Sequence, residues 1–386
     1  MDFELSQEQR MIYEYGNSLV KQFDRKYWLA CAEQKRFPQE MYDKVAADGF
    51  VGMMVPEAYG GAGQGMTEMH LFLEGLSNHG IPLLSLVVGA TMSVGFIAKY
   101  GTEEQKKRYL PDACKGRTRF CFAITEPGAG TNTIQITSIA KKNGDRYSLS
   151  GQKVFISGAR DADFMLVVAR TTRAAEVKNR TEGMSLFVLD MKTPGIKLQQ
   201  LNIQVETAER QYMVFFDNVE LPTDALIGEA GKGAKLMFEG LNSERLLAAG
   251  AAIGLGDYAL AKAVAYAKDR KPFGKPIGSY QALQHRMAQA KAQIEAARLM
   301  TYNAAERFDN GEDAGAHANM AKLLGSQAAV AAVEAALQTH GGYGFDRDYD
   351  IVTLWPMVRL LEIAPINNEM LLNYIGEHVL GLPKSY

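Results

Sequence analysis

Phe122-Ala123-Ile124-Thr125-Glu126-Pro127-Gly128-Ala129-Gly130-Thr131-Asn132 runs from a strand-forming apolar stretch into a glycine-rich turn. After the hairpin signal Asn143-Gly144-Asp145 comes Gly151-Gln152-Lys153-Val154-Phe155-Ile156-Ser157-Gly158-Ala159. Glycines behind a strand let backbone N–H groups come close to a ligand, because no side chain stands in the way. An aromatic two positions before a hydroxyl can cover a flat ring and hydrogen-bond its edge. Neither stretch has the GxGxxG spacing of a dinucleotide fold, and either alone is as well explained as a turn.

The surroundings of these stretches define the layout. From about Arg117 to Pro222 the chain alternates short β-rich runs, Phe164 to Val168, Met184 to Leu189 and Tyr212 to Phe216, with turn signals such as Pro194-Gly195. Upstream, Ser6 and Gln9 form a capping-box pattern, and Met11, Ile12, Tyr15, Leu19, Val20 and Phe23 mark a helix face. Downstream of Gly233 the chain is Ala-, Leu- and Met-rich at helical spacing, with Leu283, Met287, Ala290 and Ile294 on one face. The charged stretch from Thr171 to Gly183 reads as a solvated loop. The order predicts an α+β fold: a helical domain over 1–116, a β-domain over 117–229 and a helical domain over 230–386.

With 386 residues, 47% of them hydrophobic, the chain can bury a core of two or three domains. A net charge of −2 gives no basic excess for nucleic acid. No uninterrupted apolar run approaches the roughly 20 residues of a membrane span, so no membrane partner is expected. The first ten residues, MDFELSQEQR, are acidic and polar, unlike a secretory or transit segment. Cys31, Cys114 and Cys121 lack CxxC spacing and read as reduced thiols of a cytoplasmic protein. The six histidines include no HExxH, so no metal is expected, and His340 beside Gly341-Gly342 reads as a packing residue.

In this order along the chain, the two strand–turn stretches resemble the flavin-contacting segments of the acyl-CoA dehydrogenase family. The resemblance extends over Pro56-Glu57-Ala58-Tyr59-Gly60-Gly61, Tyr100-Gly101-Thr102-Glu103-Glu104-Gln105 and Phe216-Asp217-Asn218-Val219-Glu220-Leu221-Pro222. It continues through Arg270-Lys271-Pro272-Phe273-Gly274-Lys275-Pro276-Ile277 and Gln338-Thr339-His340-Gly341-Gly342-Tyr343-Gly344. It implies a C-terminal four-helix bundle, bound FAD, an acyl-CoA substrate, electron-transferring flavoprotein as acceptor and a homotetramer. Phe122, Ile124, Thr125, Gly130 and Thr131 would contact the flavin, Thr125 at the isoalloxazine edge. Phe155 would stand where the family's usual tryptophan shields the ring, and Ser157 would face N5. Arg270, Phe273 and Gln281 would reach the adenosine diphosphate half of a neighbouring subunit's FAD, with Gln338, Gly341, Gly342, Asn367 and Glu369 completing the cofactor set. Thr131, Asn242, Arg245, Ala364 and Pro365 would meet substrate or its CoA.

The family's usual base lies in Tyr-Glu-Gly-Thr near the C-terminus; the corresponding stretch here is Ala364-Pro365-Ile366-Asn367, without a carboxylate. A minority of the family, typified by isovaleryl-CoA and long-chain acyl-CoA dehydrogenases, carries the base on an earlier helix in Glu-Arg-Leu, and Glu244-Arg245-Leu246 matches it. Without that match, a mid-chain Glu-Arg pair reads as a solvent-facing helix pair. Glu362 and Glu369 are the fallback bases. Pro356-Met357 replaces the family's Arg-Asp pair, and Asn132 a common aspartate. The family also holds the thioester oxygen with the ribityl hydroxyl and the backbone N–H of the usual base position. Pro365 has no N–H, so Ala364 or Ile366 supplies it or turnover of simple saturated acyl-CoAs is poor.

The leading expectation is FAD-dependent α,β-dehydrogenation of a branched, cyclic or bulky acyl-CoA. The alternatives are a specialised member, such as an enoyl-CoA reductase or another α-proton-initiated elimination, and a non-catalytic flavin-binding subunit of a hetero-oligomer.

Overall fold

The computed structural model describes residues 4–384; the outermost residues of the two helical regions, 1–3 and 385–386, lie outside it. The chain opens with α1 (Gln7–Leu19), α2 (Arg25–Glu33), α3 (Gln39–Ala47), α4 (Met66–Ser77), α5 (Gly95–Tyr100) and α6 (Glu103–Cys114). The capping box at Ser6 and Gln9 forms, and Thr102 with Gln105 makes a second before α6. Of the face read for the first helix, Leu19 is buried and Ile12, Tyr15, Val20 and Phe23 pack on the core. Met11 is the exception at 61% exposed. It lies beside Ile12 in sequence, and a one-residue step turns a helical side chain about 100° away from its neighbour.

The β-domain holds β1 (Phe120–Ala123), β2 (Ile139–Asn143), β3 (Arg146–Ser157), β4 (Phe164–Arg170), β5 (Met184–Asp190), β6 (Ile196–Gln200), β7 (Gln211–Pro222) and β8 (Leu226–Ile227). Their order is β6-β7-β3-β2-β4-β5-β8, with β1 parallel to β4 in the register Phe120↔Phe164. The central pair β4 and β5 is covered on both faces, which is why these strands read as continuous apolar runs. The stretch from Thr171 to Gly183 is an excursion between them. Fully buried Arg170 ties it down, donating to the carbonyls of Glu182 (3.0 Å) and Arg180 (2.7 Å).

The C-terminal region packs α7 (Gly233–Asp269), α8 (Gln281–Asp309) and α9 (Gly315–His340), then adds α10 (Trp355–Leu360) and α11 (Asn368–Tyr374). Small residues let these helices approach closely. A Cβ on Gly254 of α7 would stand 2.3 Å from the Glu74 carbonyl of α4, and one on Gly325 of α9 would stand 3.2 Å from Ala249. The α8 face read from sequence points inward through Ala290 and Ile294. One expectation needs correction. By mean hydropathy, α7 and the helical stretch 315–345 are long and apolar enough to cross a membrane, although no uninterrupted apolar run suggested it. Most of each apolar window is buried against neighbouring elements, so packing within the fold accounts for it.

Candidate active site

Two buried ions shape the first half of the site. Lys153 on β3 is fully buried and donates to the Glu126 carboxylate (2.9 Å) and to the Ile124 carbonyl (2.8 Å). Glu126 in turn accepts from the backbone N–H of Thr137 (2.6 Å) and of Ser138 (3.0 Å). Burial pushes the lysine down to about 8, while Glu126 opposes the shift. The pair pins the glycine loop onto β3, and Val154 N–H completes the seam by donating to the Thr125 carbonyl (2.9 Å). Sequence reading passed over both residues. The available signal was a lysine inside an otherwise apolar strand, downstream of a glutamate at a strand end.

Phe155 and Ser157 follow Lys153 on β3. Between Lys153 and Ile156 the β3–β7 register shifts, and Phe155 at that shift takes φ +60°. That backbone region is costly for a bulky aromatic residue. It leaves the ring 59% exposed instead of folded into the core. Ser157 is partly exposed, and its Oγ accepts from Gln211 Nε2 at 2.7 Å. Gly128 and Gly130 have open space around the position a Cβ would take, whereas Phe122 is buried and Ile124 and Thr125 are half-buried. An exposed ring, two hydroxyls and an unobstructed glycine turn fit a flat heteroaromatic group with a polar edge. The residues therefore fit an isoalloxazine.

A second group lies at the far end of the bundle. Arg270 and Phe273, in the turn after α7, and Gln281, opening α8, are exposed, Phe273 at 80%. Gln338 and Gly341, with Leu337, Phe345, Trp355 and Pro356, line a cleft of about 490 Å³, and Gly342 is exposed beside it. Among the described residues no hydrogen bond, ion pair or ring contact joins these residues to Phe155 or Ser157. His340 is buried, its Nδ1 2.8 Å from the Ala336 carbonyl and its ring stacked on Tyr266 at 4.3 Å, the packing role read for it.

Glu244 lies on α7, half-buried, and among the described residues no hydrogen bond or ion pair engages its carboxylate. Burial raises its pKa to about 7, with Arg245 pulling the other way. Arg245 is held by Asn242, which accepts from Nη1 at 2.6 Å, while its buried Nε has no partner among the described residues. The fallback carboxylates are placed differently. Glu362 is ion-paired with Arg359, and Glu369 is exposed in the first turn of α11.

The segment of Ala364 and Pro365 joins α10 to α11. Ala364 N–H donates to the Leu360 carbonyl (2.8 Å) and Asn368 N–H to the Glu362 carbonyl (3.0 Å), while the Ile366 N–H has no acceptor among the described residues. Asn367 caps α11 through Met370 N–H (2.9 Å), and its Nδ2 donates to Thr131 Oγ1 (2.9 Å), joining this segment to the glycine loop. Beneath it, fully buried Lys322 of α9 donates to the Ile366 carbonyl and to Asn368 Oδ1.

Domains described as acyl-CoA dehydrogenase N-terminal, middle and C-terminal match residues 6–117, 121–219 and 231–380. The chain is 40% identical over 383 residues to acyl-CoA dehydrogenase FadE12 of Mycobacterium tuberculosis, covering 99% of this chain and 98% of that one. It is 34% identical to a 3-(aryl)acrylate reductase of Clostridium sporogenes, covering 89% and 91%. Among solved structures, butyryl-CoA dehydrogenase from Megasphaera elsdenii superposes with a TM-score of 0.93 at 29% identity, over 98% of this chain and 100% of that one.

Proposed function

Since the chain belongs to the acyl-CoA dehydrogenase family of FAD-dependent enzymes, we propose that it introduces a double bond between Cα and Cβ of a branched, cyclic or otherwise bulky acyl-CoA, with Glu244 as the base. The observation that carries this reading is Glu244 itself, a recessed and unpartnered carboxylate whose pKa is raised to about 7. A base poised near the working pH removes a proton most effectively. A non-catalytic subunit would have no use for an ionisable group held at that cost.

Glu244 takes the proton from Cα, and the electrons of that C–H bond become the Cα=Cβ bond. Bound FAD supplies the acceptor for the β-hydrogen and its electron pair. Thr125 and Ser157 would hold the edge of the cofactor, Phe155 would cover it from water, and Arg270 with Gln281 would grip the diphosphate half of a partner subunit's FAD in a homotetramer. Arginine suits that task because its planar fork donates two bonds at once. Of the donors considered for the thioester oxygen, the Ala364 N–H is already used within its own turn. The free Ile366 N–H therefore supplies the bond that Pro365 cannot. Electrons then pass to an electron-transferring flavoprotein.

A second reading, reduction of an α,β-unsaturated thioester, uses the same groups in reverse, with Glu244 returning the proton. The similarity to a 3-(aryl)acrylate reductase supports it. Anaerobic mixing of the holoenzyme with a panel of straight, branched and cyclic saturated acyl-CoAs separates the two. Flavin bleaching by saturated thioesters supports dehydrogenation. Bleaching by none of them, with reoxidation of reduced enzyme by enoyl-CoAs, overturns it in favour of reduction.

A further inference from the structure

Lys322 stands outside every role assigned above. It lies in the middle of α9, fully buried, where an apolar residue would be easier to accommodate. Both acceptors it has found lie where the turn after α10 enters α11. Nζ donates to the Ile366 carbonyl at 2.6 Å and to Asn368 Oδ1 at 2.9 Å, and Ser326 Oγ reaches the same Oδ1 at 3.2 Å. The Ile366 carbonyl accepts no other hydrogen bond among the described residues.

The surrounding charges indicate what the lysine does. Burial lowers its pKa to about 8; Glu362 and Glu369 oppose that shift, and Arg245 on α7 adds to it. Among the described residues neither carboxylate makes an ion pair with the ammonium, and its direct polar contacts are the two to residues 366–368. Ile366 is also the residue whose N–H has no acceptor among the described residues. Residues 364–367 belong to no strand or helix that would fix their direction. The segment's other tethers include the Asn368 N–H bond to Glu362 and the Asn367 bond to Thr131.

We infer that Lys322 is a positioning residue: by clamping the Ile366 carbonyl and Asn368 from inside the bundle, it aims the Ile366 N–H at the thioester oxygen of the substrate. The inference rests on the acyl-CoA reading, since that reading puts a thioester there. Lys322 touches no reacting atom. Its effect falls on the geometry in which Glu244 meets the α-proton, and a misplacement of about 1 Å in such a geometry costs about a hundredfold in rate.

The test uses the FAD-loaded protein with Lys322→Met and, because that variant can fail to fold, Asn368→Ala alongside it. Hydrogen–deuterium exchange without substrate is expected to show the hydrogen-bonded amides of Asn368, Met370 and Leu371 exchanging at least about tenfold faster in either variant, with the flavin spectrum unaltered. With isovaleryl-CoA as probe, flavin reduction should slow about a hundredfold in Lys322→Met and about tenfold in Asn368→Ala, while the Kd changes less than about threefold. The acid limb of the rate against pH, set by Glu244, should stay in place. Unchanged exchange in a folded variant overturns the inference, as does a reduction rate within about threefold of the unaltered protein. A shift of the acid limb by a full pH unit also overturns it, because Lys322 would then act on the charge of the base. If isovaleryl-CoA fails to reduce even the unaltered protein, the substrate reading is what fails, and the exchange measurement still decides the role of Lys322.

Discussion

Replacing Glu244 by glutamine should separate stability from activity, and the structure gives the size of both effects. Burial raises the carboxyl from its ordinary 4.5 to about 7. At about 1.4 kcal/mol per pH unit, this disfavours the ionised carboxylate in the folded chain by about 3 kcal/mol. The recess keeps some contact with solvent, so about 2 kcal/mol is expected. The sign follows from proton binding. Below pH 4.5 folded and unfolded chains both hold the proton, and the group contributes no difference. Between 4.5 and 7 the folded chain keeps a proton the unfolded chain has released, so stability falls as pH rises; above 7 the full cost is present. Glutamine is never ionised. Glu244→Gln should therefore be about 2 kcal/mol more stable than the parent at about pH 8 and equal to it near pH 4.5, as read by urea unfolding. Flavin reduction by acyl-CoA should fall at least about a thousandfold with FAD content unchanged. In the parent, reduction should rise with pH through about 7 as the base ionises. A variant less stable at about pH 8 than its parent would refute the electrostatic argument. A variant that still reduces its flavin while Glu362→Gln does not would move the base elsewhere.

Three further outcomes can be checked. Pro365→Ala should change turnover by less than about threefold, because the free Ile366 N–H already serves; a gain near a hundredfold, about 3 kcal/mol, would show that an oxyanion donor had been missing. Lys153→Met should strand the Glu126 carboxylate, cost about 3–5 kcal/mol in unfolding experiments and release flavin on gel filtration; full FAD retention would separate the ion pair from the cofactor edge. The purified protein should be a yellow tetramer by light scattering with one FAD per chain, and Arg270→Ala should lose cofactor without losing secondary structure. A stable colourless monomer would contradict both.

Much of this was legible in the sequence because it depends on local pattern. The β-rich interval between two helical regions announces itself through period and turn residues, and Ser6 with Gln9 caps the first helix as read. Glu244 was singled out by its place in a Glu-Arg-Leu segment. The structure adds why such a pair is not simply solvated: the carboxylate is recessed and Arg245 bonds Asn242. The groups that sequence reading missed act across long separations. Lys153 meets Glu126 only once β3 folds back on the glycine loop, and Lys322 meets Ile366 only when α9 passes beneath the turn into α11. Each of these is a lysine in an apolar setting whose partner no periodicity can indicate. Met11 erred the other way, fitting an apolar pattern while facing solvent.

The three cysteines have a consequence for following how the molecule comes apart. All are buried, and burial raises their thiol pKa values, so in the intact fold they present almost no thiolate to an electrophile. They are also dispersed: Cys31 sits in the core beneath the N-terminal helices, Cys114 between those helices and the sheet, and Cys121 within the sheet's other face. Each is a built-in clock for a different layer. Brief exposure to an alkylating reagent during unfolding, read by peptide mass, dates the opening of each layer without any introduced label. The order in which the three thiols become reactive traces whether the cofactor edge outlasts the helices that cover it or gives way with them.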